Sequence, residues 1–183
     1  RLRGVSYQQI AAEGGGILRT MNAVRSARQT EVEAIGRKLA LSAMKHGTTT
    51  IEIKSGYGLT LESELKLLRA IKTLRDELPL RIIATFLGAH DFPPEFRSRR
   101  DEYINIICNE MIPMVVQENL AEFCDVFTDT GYFTVEESEK ILQTALDSGL
   151  QVKVHADELS SFGAAEMAAR MKAVSADHLL FIS

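Results

Sequence analysis

From residue 31 onward, short apolar runs alternate with longer stretches in which apolar residues recur every three to four positions. Val32, Ile35, Leu39, Ala43 and Met44 mark one face of a helix over Glu31–His46, which Gly47 ends. Thr48–Ile53 is short and β-branched, and predicts a strand. Ser55-Gly56-Tyr57-Gly58 reads as a turn. Thr60 is placed to N-cap a helix over Leu61–Leu78, with Glu62 and Glu64 near its positive end and Pro79 closing it. The same unit then recurs. Leu80–Leu87 predicts a strand, Pro93-Pro94 a loop and Ser98–Asn119 a helix. Phe123–Phe127 predicts the next strand, and Thr134 and Glu137 form a capping box that opens a helix running to Asp147, with Gly149 as its stop. Leu150–His155 is a strand, Gly163–Lys172 a helix and Val174–Leu180 a last strand.

Strands spaced by roughly 25–45 residues, each gap filled by a helix, indicate βα units around a parallel sheet. No motif recurs and no linker interrupts the chain, so a single domain over residues 1–183 is expected. Two α/β architectures make this pattern, an open doubly wound sheet and a closed (β/α)8 barrel. The open dinucleotide-type sheet lacks its signature: no GxGxxG joins a strand to a helix, and Gly14-Gly15-Gly16 follows a helical-looking segment instead. The barrel gains from the polar residues. Tyr57, His90, Asp129 and His155 fall at or just past strand C-terminal ends, which in a barrel converge on one catalytic face. A complete (β/α)8 barrel takes about 250 residues, so about five βα units predict an incomplete one.

Composition narrows the function. The 183 residues carry 21 Lys+Arg and 25 Asp+Glu, a net charge of −4, and are 45% hydrophobic. That supports a folded core and excludes intrinsic disorder. It also excludes nucleic-acid binding through bulk positive charge, and without Trp there is no platform for stacking bases. No apolar run reaches a membrane span, and the start, RLRGVSYQQI, has no signal-peptide pattern. It also lacks Met, so the chain is expected to begin inside a longer protein. Cys108 and Cys124 make no disulfide framework, which points to core thiols in a reducing, cytoplasmic compartment.

The sharpest chemical feature is Val152–Glu158. A strand delivers His155 to its C-terminal end, and Asp157 and Glu158 follow at once. A neutral imidazole there suits zinc or ferrous iron, and Glu158 could take the proton of a bound water. The plainer alternative is a histidine that caps the sheet. His178 ends the next unit in the same way, after Ser175-Ala176-Asp177, and would lie beside His155 or merely cap its strand. His90, in Leu87-Gly88-Ala89-His90-Asp91, is a third strand-end histidine, facing substrate or sitting in a surface loop. Gly56 and Gly58 flank Tyr57, whose hydroxyl could bind a small polar substrate or simply pack in a tight turn. Lys54 faces the same end, but a carbamylated lysine bridging two metals has no second metal to bridge. Asp129 and Thr130 offer hydrogen bonds behind the site. His46 sits in an ordinary helix-end position, and Arg97, Arg99 and Arg100 read as a solvated loop and helix start.

Taken together, Ser55-Gly56-Tyr57-Gly58-Leu59, Phe86-Leu87-Gly88-Ala89-His90, His155-Ala156-Asp157-Glu158 and Ser175-Ala176-Asp177-His178-Leu179 resemble the imidazolonepropionase family of metal-dependent amidohydrolases. The opening Gly4-Val5-Ser6-Tyr7 and Gly14-Gly15-Gly16-Ile17 are similar to it too. The resemblance implies an amidohydrolase-type barrel and hydrolysis of an imidazolone ring, 4-imidazolone-5-propanoate giving N-formimidoyl-L-glutamate, in histidine degradation. It implies one divalent metal, zinc or iron, with His155 as a ligand. Glu158 would be the general base and would also contact substrate. His178 would stabilise developing charge, and Tyr57, His90 and Tyr7 would hold the substrate. The family also uses an HxH pair, a final-strand Asp and a substrate-binding Arg, none of which this chain contains. An internal fragment, or the barrel portion of a split chain, is therefore expected, inactive and weakly metal-binding on its own, with a small-molecule substrate as partner, no nucleic acid and no membrane, and a homodimer as the assembly ordinary for such a barrel. Another cyclic amidohydrolase or a deaminase on the same barrel is the alternative enzyme. A binding module without turnover is the alternative of another class.

Overall fold

The computed structural model describes residues 17–182. Tyr7 and the glycine run Gly14–Gly16 lie outside the described residues. Two helices come first, α1 (Ile17–Ser26) and α2 (Gln29–Lys45). They are followed by β1 (Thr50–Lys54), α3 (Leu61–Glu77), β2 (Arg81–Ala89), α4 (Arg100–Ile106), α5 (Ile112–Gln117), β3 (Phe123–Thr128), α6 (Val135–Asp147), β4 (Gln151–Ala156), α7 (Ala164–Arg170) and β5 (Ser175–His178).

The start signals act as the sequence predicts. The Thr60 hydroxyl accepts from Ser63 N–H at the head of α3, and Thr134 and Glu137 close a reciprocal capping box on α6. The expected single helix over Ser98–Asn119 is instead two short α-helices joined by a wider π-type turn, Ile107–Met111. Pro113 explains the widening: it has no N–H to donate, and its ring would strike the carbonyl four residues back, at Asn109. The last strand stops at His178 rather than Leu180, because His178 and Leu179 both adopt left-handed φ values, 75° and 56°.

All five strands are parallel, and their spatial order is β1-β2-β3-β4-β5, the order of the chain. An open doubly wound sheet reverses direction at a switch point. This sheet never does, and such continuous winding is compatible with part of a (β/α)8 barrel. The two faces differ sharply. Ile82, Ala84, Phe86, Cys124, Val126, Val152, Val154 and Ala156 are buried with the core that includes Leu68, Ile71 and Leu74 of α3 and Ile141 and Leu142 of α6. By register, the alternate positions share the other face: Glu52 and Lys54 on β1, Thr85 on β2, Asp125 on β3, Lys153 and His155 on β4, and Asp177 on β5. In a flat sheet β1 and β5 would lie roughly 19 Å apart. Lys54 Nζ on β1 nevertheless reaches Asp177 Oδ2 on β5 at 2.7 Å. That single contact requires the sheet to curl, with the polar face on the inside.

Candidate active site at the strand tips

The loop after β1 is set by one buried carboxylate. Glu64, in the first turn of α3, accepts from the backbone N–H of Gly56 at 2.7 Å and from those of Gly58 and Leu59 at 2.9 Å each. Gly56 is required here: its φ is +94°, and a Cβ would lie 2.5 Å from the Leu87 carbonyl oxygen. Arg25 adds a bond to the Gly58 carbonyl at 2.8 Å. A loop tied this firmly fixes the backbone on both sides of Tyr57, and its ring meets His90 edge-on at 5.0 Å.

His90 stands just past β2. The Gly56 carbonyl can only accept, so the 2.9 Å contact between them places the proton on His90 Nδ1 and leaves a lone pair on Nε2. Burial lowers the His90 pKa to about 4, which keeps the ring neutral. It is not the surface-loop histidine of the alternative reading. Gly88 permits the tight approach two residues earlier, since a Cβ there would meet the Phe86 ring at 2.5 Å.

His155, at the tip of β4, lies 6.1 Å from the His90 ring, 5.8 Å from Phe127 and 5.2 Å from His178. His178 Nε2 in turn lies 3.3 Å from Glu158 Oε2. The structure therefore brings Tyr57, His90, His155, His178 and Glu158 into one continuous chain of contacts, drawn from four strand ends. Two further aspartates shape the loop that carries Glu158. Asp129 accepts from Leu159 N–H at 2.7 Å, from the Ser160 hydroxyl at 2.6 Å and from Thr130 N–H at 2.7 Å, the supporting role its position suggested. Asp157 accepts from the N–H groups of Phe162 and Ala165 and so holds the start of α7. A cavity of about 370 Å3 lies along the open edge of β1, between Leu39 and Ala40 of α2 and Ile51 to Lys54 of β1, and reaches Tyr57, Leu87 and His155 at the strand tips.

Beneath His155 lies a charged cluster that sequence reasoning missed in part. Lys54 Nζ is 2.7 Å from both Asp125 Oδ2 and Asp177 Oδ2, and His155 Nδ1 is 2.9 Å from Asp125 Oδ2. Lys153 pairs with Glu52 at 3.0 Å, and the Thr85 hydroxyl donates to the same Glu52 oxygen at 2.5 Å. Burial opposes the charge on Lys54, but the two carboxylates outweigh it and raise the pKa above the usual lysine value. Burial likewise opposes the charge on Asp125 and Asp177. His155 and Lys54 beside the first, and Lys54 beside the second, hold both below the ordinary carboxylate range. Asp125 gave no signal beyond alternation, which puts an acid in the middle of a strand, on the side of Phe123 and Phe127.

Asp125, His155 and Asp177 form a group that could hold a metal ion, since one ligand atom from each lies within 4.8 Å of the others. One imidazole and two carboxylates are donors that suit zinc or iron. Among the described residues Asp125 Oδ1 is buried without a hydrogen-bond partner. The Lys54 ammonium, however, already bridges the two carboxylates. The donor His155 has to spare is Nε2, on the ring flank away from Asp125, and through it the residue fits a metal.

Among the described residues no helix is long and apolar enough to cross a membrane. No protein-family model matches the chain. A solved dipeptide epimerase from Methylococcus capsulatus aligns over 82% of this chain and 52% of that one, at 11% identity and a TM-score of 0.30, too weak a likeness to bear on the fold. The curated proteins are far nearer. An imidazolonepropionase of Porphyromonas gingivalis is 50% identical over all 183 residues, one of Symbiobacterium thermophilum 52%, and one of Shewanella halifaxensis 46%. The chain spans 43%, 43% and 45% of those proteins, less than half of each. Along its entire length, then, this chain is similar in sequence to the imidazolonepropionases.

Proposed function

We propose that these residues build the substrate-facing side of an amidohydrolase-type barrel that opens the ring of 4-imidazolone-5-propanoate to N-formimidoyl-L-glutamate, a hydrolytic step of histidine degradation. The carrying observation is the convergence of Tyr57, His90, His155, His178 and Glu158 at the strand tips. The names of the relatives support the same reading.

A ring amide is resonance-stabilised, so water must be activated to attack it. One divalent cation, zinc or iron, held in part by His155, would when bound acidify water and polarise the ring carbonyl. The remaining steps fall to side chains of this chain. Glu158 takes a proton from the attacking water on its carboxylate and later returns it to the departing ring nitrogen. His178, whose Nε2 lies 3.3 Å from Glu158, donates toward the negative charge that develops on the carbonyl oxygen. His90 is neutral and presents Nε2 as an acceptor, which matches a ring N–H of the imidazolone. The Tyr57 hydroxyl and, from outside the described residues, Tyr7 complete the substrate contacts. The setting is cytoplasmic and the protein a homodimer, with the small-molecule substrate as its other partner.

Glu158→Gln in the full-length protein is expected to lower kcat by roughly 10²–10⁴-fold while substrate still binds. Steady-state kinetics on the imidazolone with product identification check this. Near-normal turnover by the variant would remove Glu158 as the base. Release of ammonia in place of the ring-opened product would favour the deaminase alternative, and binding without turnover the binding-module alternative.

A further inference from the structure

The polar face leaves Asp125 unexplained. It is fully buried in the middle of β3, it pairs with Lys54 and His155, and among the described residues its Oδ1 has no hydrogen-bond partner. By register it pairs with Lys153, one same-face step before His155, so it lies diagonally below the histidine, away from the strand tips. We propose that Asp125 is the positioning residue of His155: its carboxylate fixes the imidazole in the Nδ1–H form and turns Nε2, with its free lone pair, toward the mouth of the site.

The argument starts from the 2.9 Å separation of His155 Nδ1 and Asp125 Oδ2. A carboxylate oxygen offers only lone pairs. An unprotonated Nδ1 at that distance would set lone pair against lone pair, so the proton resides on Nδ1. A neutral imidazole then has its one acceptor at Nε2, on the opposite flank. Among the described residues Asp125 Oδ1 has no partner of its own, and the acceptor nearest His155 Nδ1 is Asp125 Oδ2 at 2.9 Å. The carboxylate cannot swing away, because Lys54 holds Oδ2 at 2.7 Å and is itself held by Asp177 at 2.7 Å. Lys54 therefore acts as a clamp from β1 and β5 on a carboxylate of β3, which in turn sets a ring on β4. A carboxylate behind a metal-binding histidine raises the basicity of the ligating nitrogen and fixes its aim. The value of this arrangement to catalysis rests on the ligand role given to His155 under the proposed function. The tautomer itself does not.

The test is nitrogen NMR of the full-length protein carrying this sequence, labelled with 15N-histidine, first chelator-treated and then titrated with zinc alone. His155→Gln assigns the His155 signals. The expected result is an Nδ1–H pattern for His155 in the metal-free protein, with zinc moving the Nε2 resonance. In Asp125→Asn the proton is expected to redistribute toward Nε2, zinc affinity to fall by about 10–100-fold, and Asp125→Glu to recover part of it. An Nε2–H pattern in the metal-free wild type overturns the proposal, whether or not the variants fold. So does zinc bonding at Nδ1, which would make Asp125 a direct ligand beside it, or an Asp125→Asn protein with unchanged tautomer and affinity. If zinc leaves the His155 signals unmoved, the ligand role fails, while the metal-free tautomer still decides what Asp125 does.

Discussion

A buried imidazole destabilises the fold when the medium asks it to charge. The His90 pKa is lowered by burial to about 4, against an ordinary value of 6.5. Above pH 6.5 the ring is neutral in folded and unfolded chains alike and contributes no pH dependence. Between 6.5 and 4 the unfolded chain binds a proton that the folded one does not, so stability falls as pH falls, by about 3 kcal/mol at most. His90→Gln is expected to flatten that part of the profile, measured as urea midpoints at pH 7, 6, 5 and 4. Equal slopes for the two proteins would place the acid sensitivity elsewhere. At this scale Tyr57, His90, His155 and His178 were legible because each stands at or just past the C-terminal end of a strand, and a strand end fixes where a side chain goes. Asp125 was not, because its meaning depends on which residue of a neighbouring strand stands diagonally across from it. Alternation assigns a face and leaves register unspecified. Tyr7 lies outside the described residues, so its substrate role is still only what the family resemblance implies.

At the scale of elements, most boundaries could be read from capping and stop residues, and the exceptions have local causes. The helix before β3 is interrupted by Pro113, a visible residue whose effect is a wider turn and not an end. β5 is short because two consecutive residues turn left-handed, and nothing in Val174–Leu180 marks that in advance. α1 was not anticipated at all, yet its Arg25 helps to anchor the Tyr57 loop and pairs with Glu95. Glu64 looked like an ordinary acid at a helix N-terminus, but its main work is across the β1–α3 connection. Glu64→Ala strips three buried N–H groups of their acceptor, and is expected to cost on the order of 3 kcal/mol in urea unfolding. Glu64→Gln, with a single acceptor oxygen, should fall between the variant and the wild type. A loss under about 1 kcal/mol for the alanine variant would mean the loop finds other partners.

For the whole molecule, the sequence pattern named the right class, α/β with parallel strands, while the curl had to be seen in a lysine of the first strand holding an aspartate of the fifth. Among the described residues, β1 and β5 each have one unpaired edge. Near the first, α2 exposes Ile35 and Leu39 at 63% and 65%. Beside the second, Val174, Leu180, Phe181 and Ile182 are exposed too. Open edges flanked by apolar side chains recruit other strands. Expressed as these 183 residues alone, the chain is expected to self-associate as concentration rises, to bind zinc weakly and to turn nothing over. Sedimentation velocity across a concentration series checks the first point, and a monomer throughout would contradict it. The agreement of spatial with chain order carries a wider consequence. Each strand pairs only with the strands next to it in the chain, so any continuous stretch of such a chain keeps all of its inner pairings. A molecule wound this way can be divided into separately made parts and reassembled by docking outer strands, much as a stave wall is built up plank by plank.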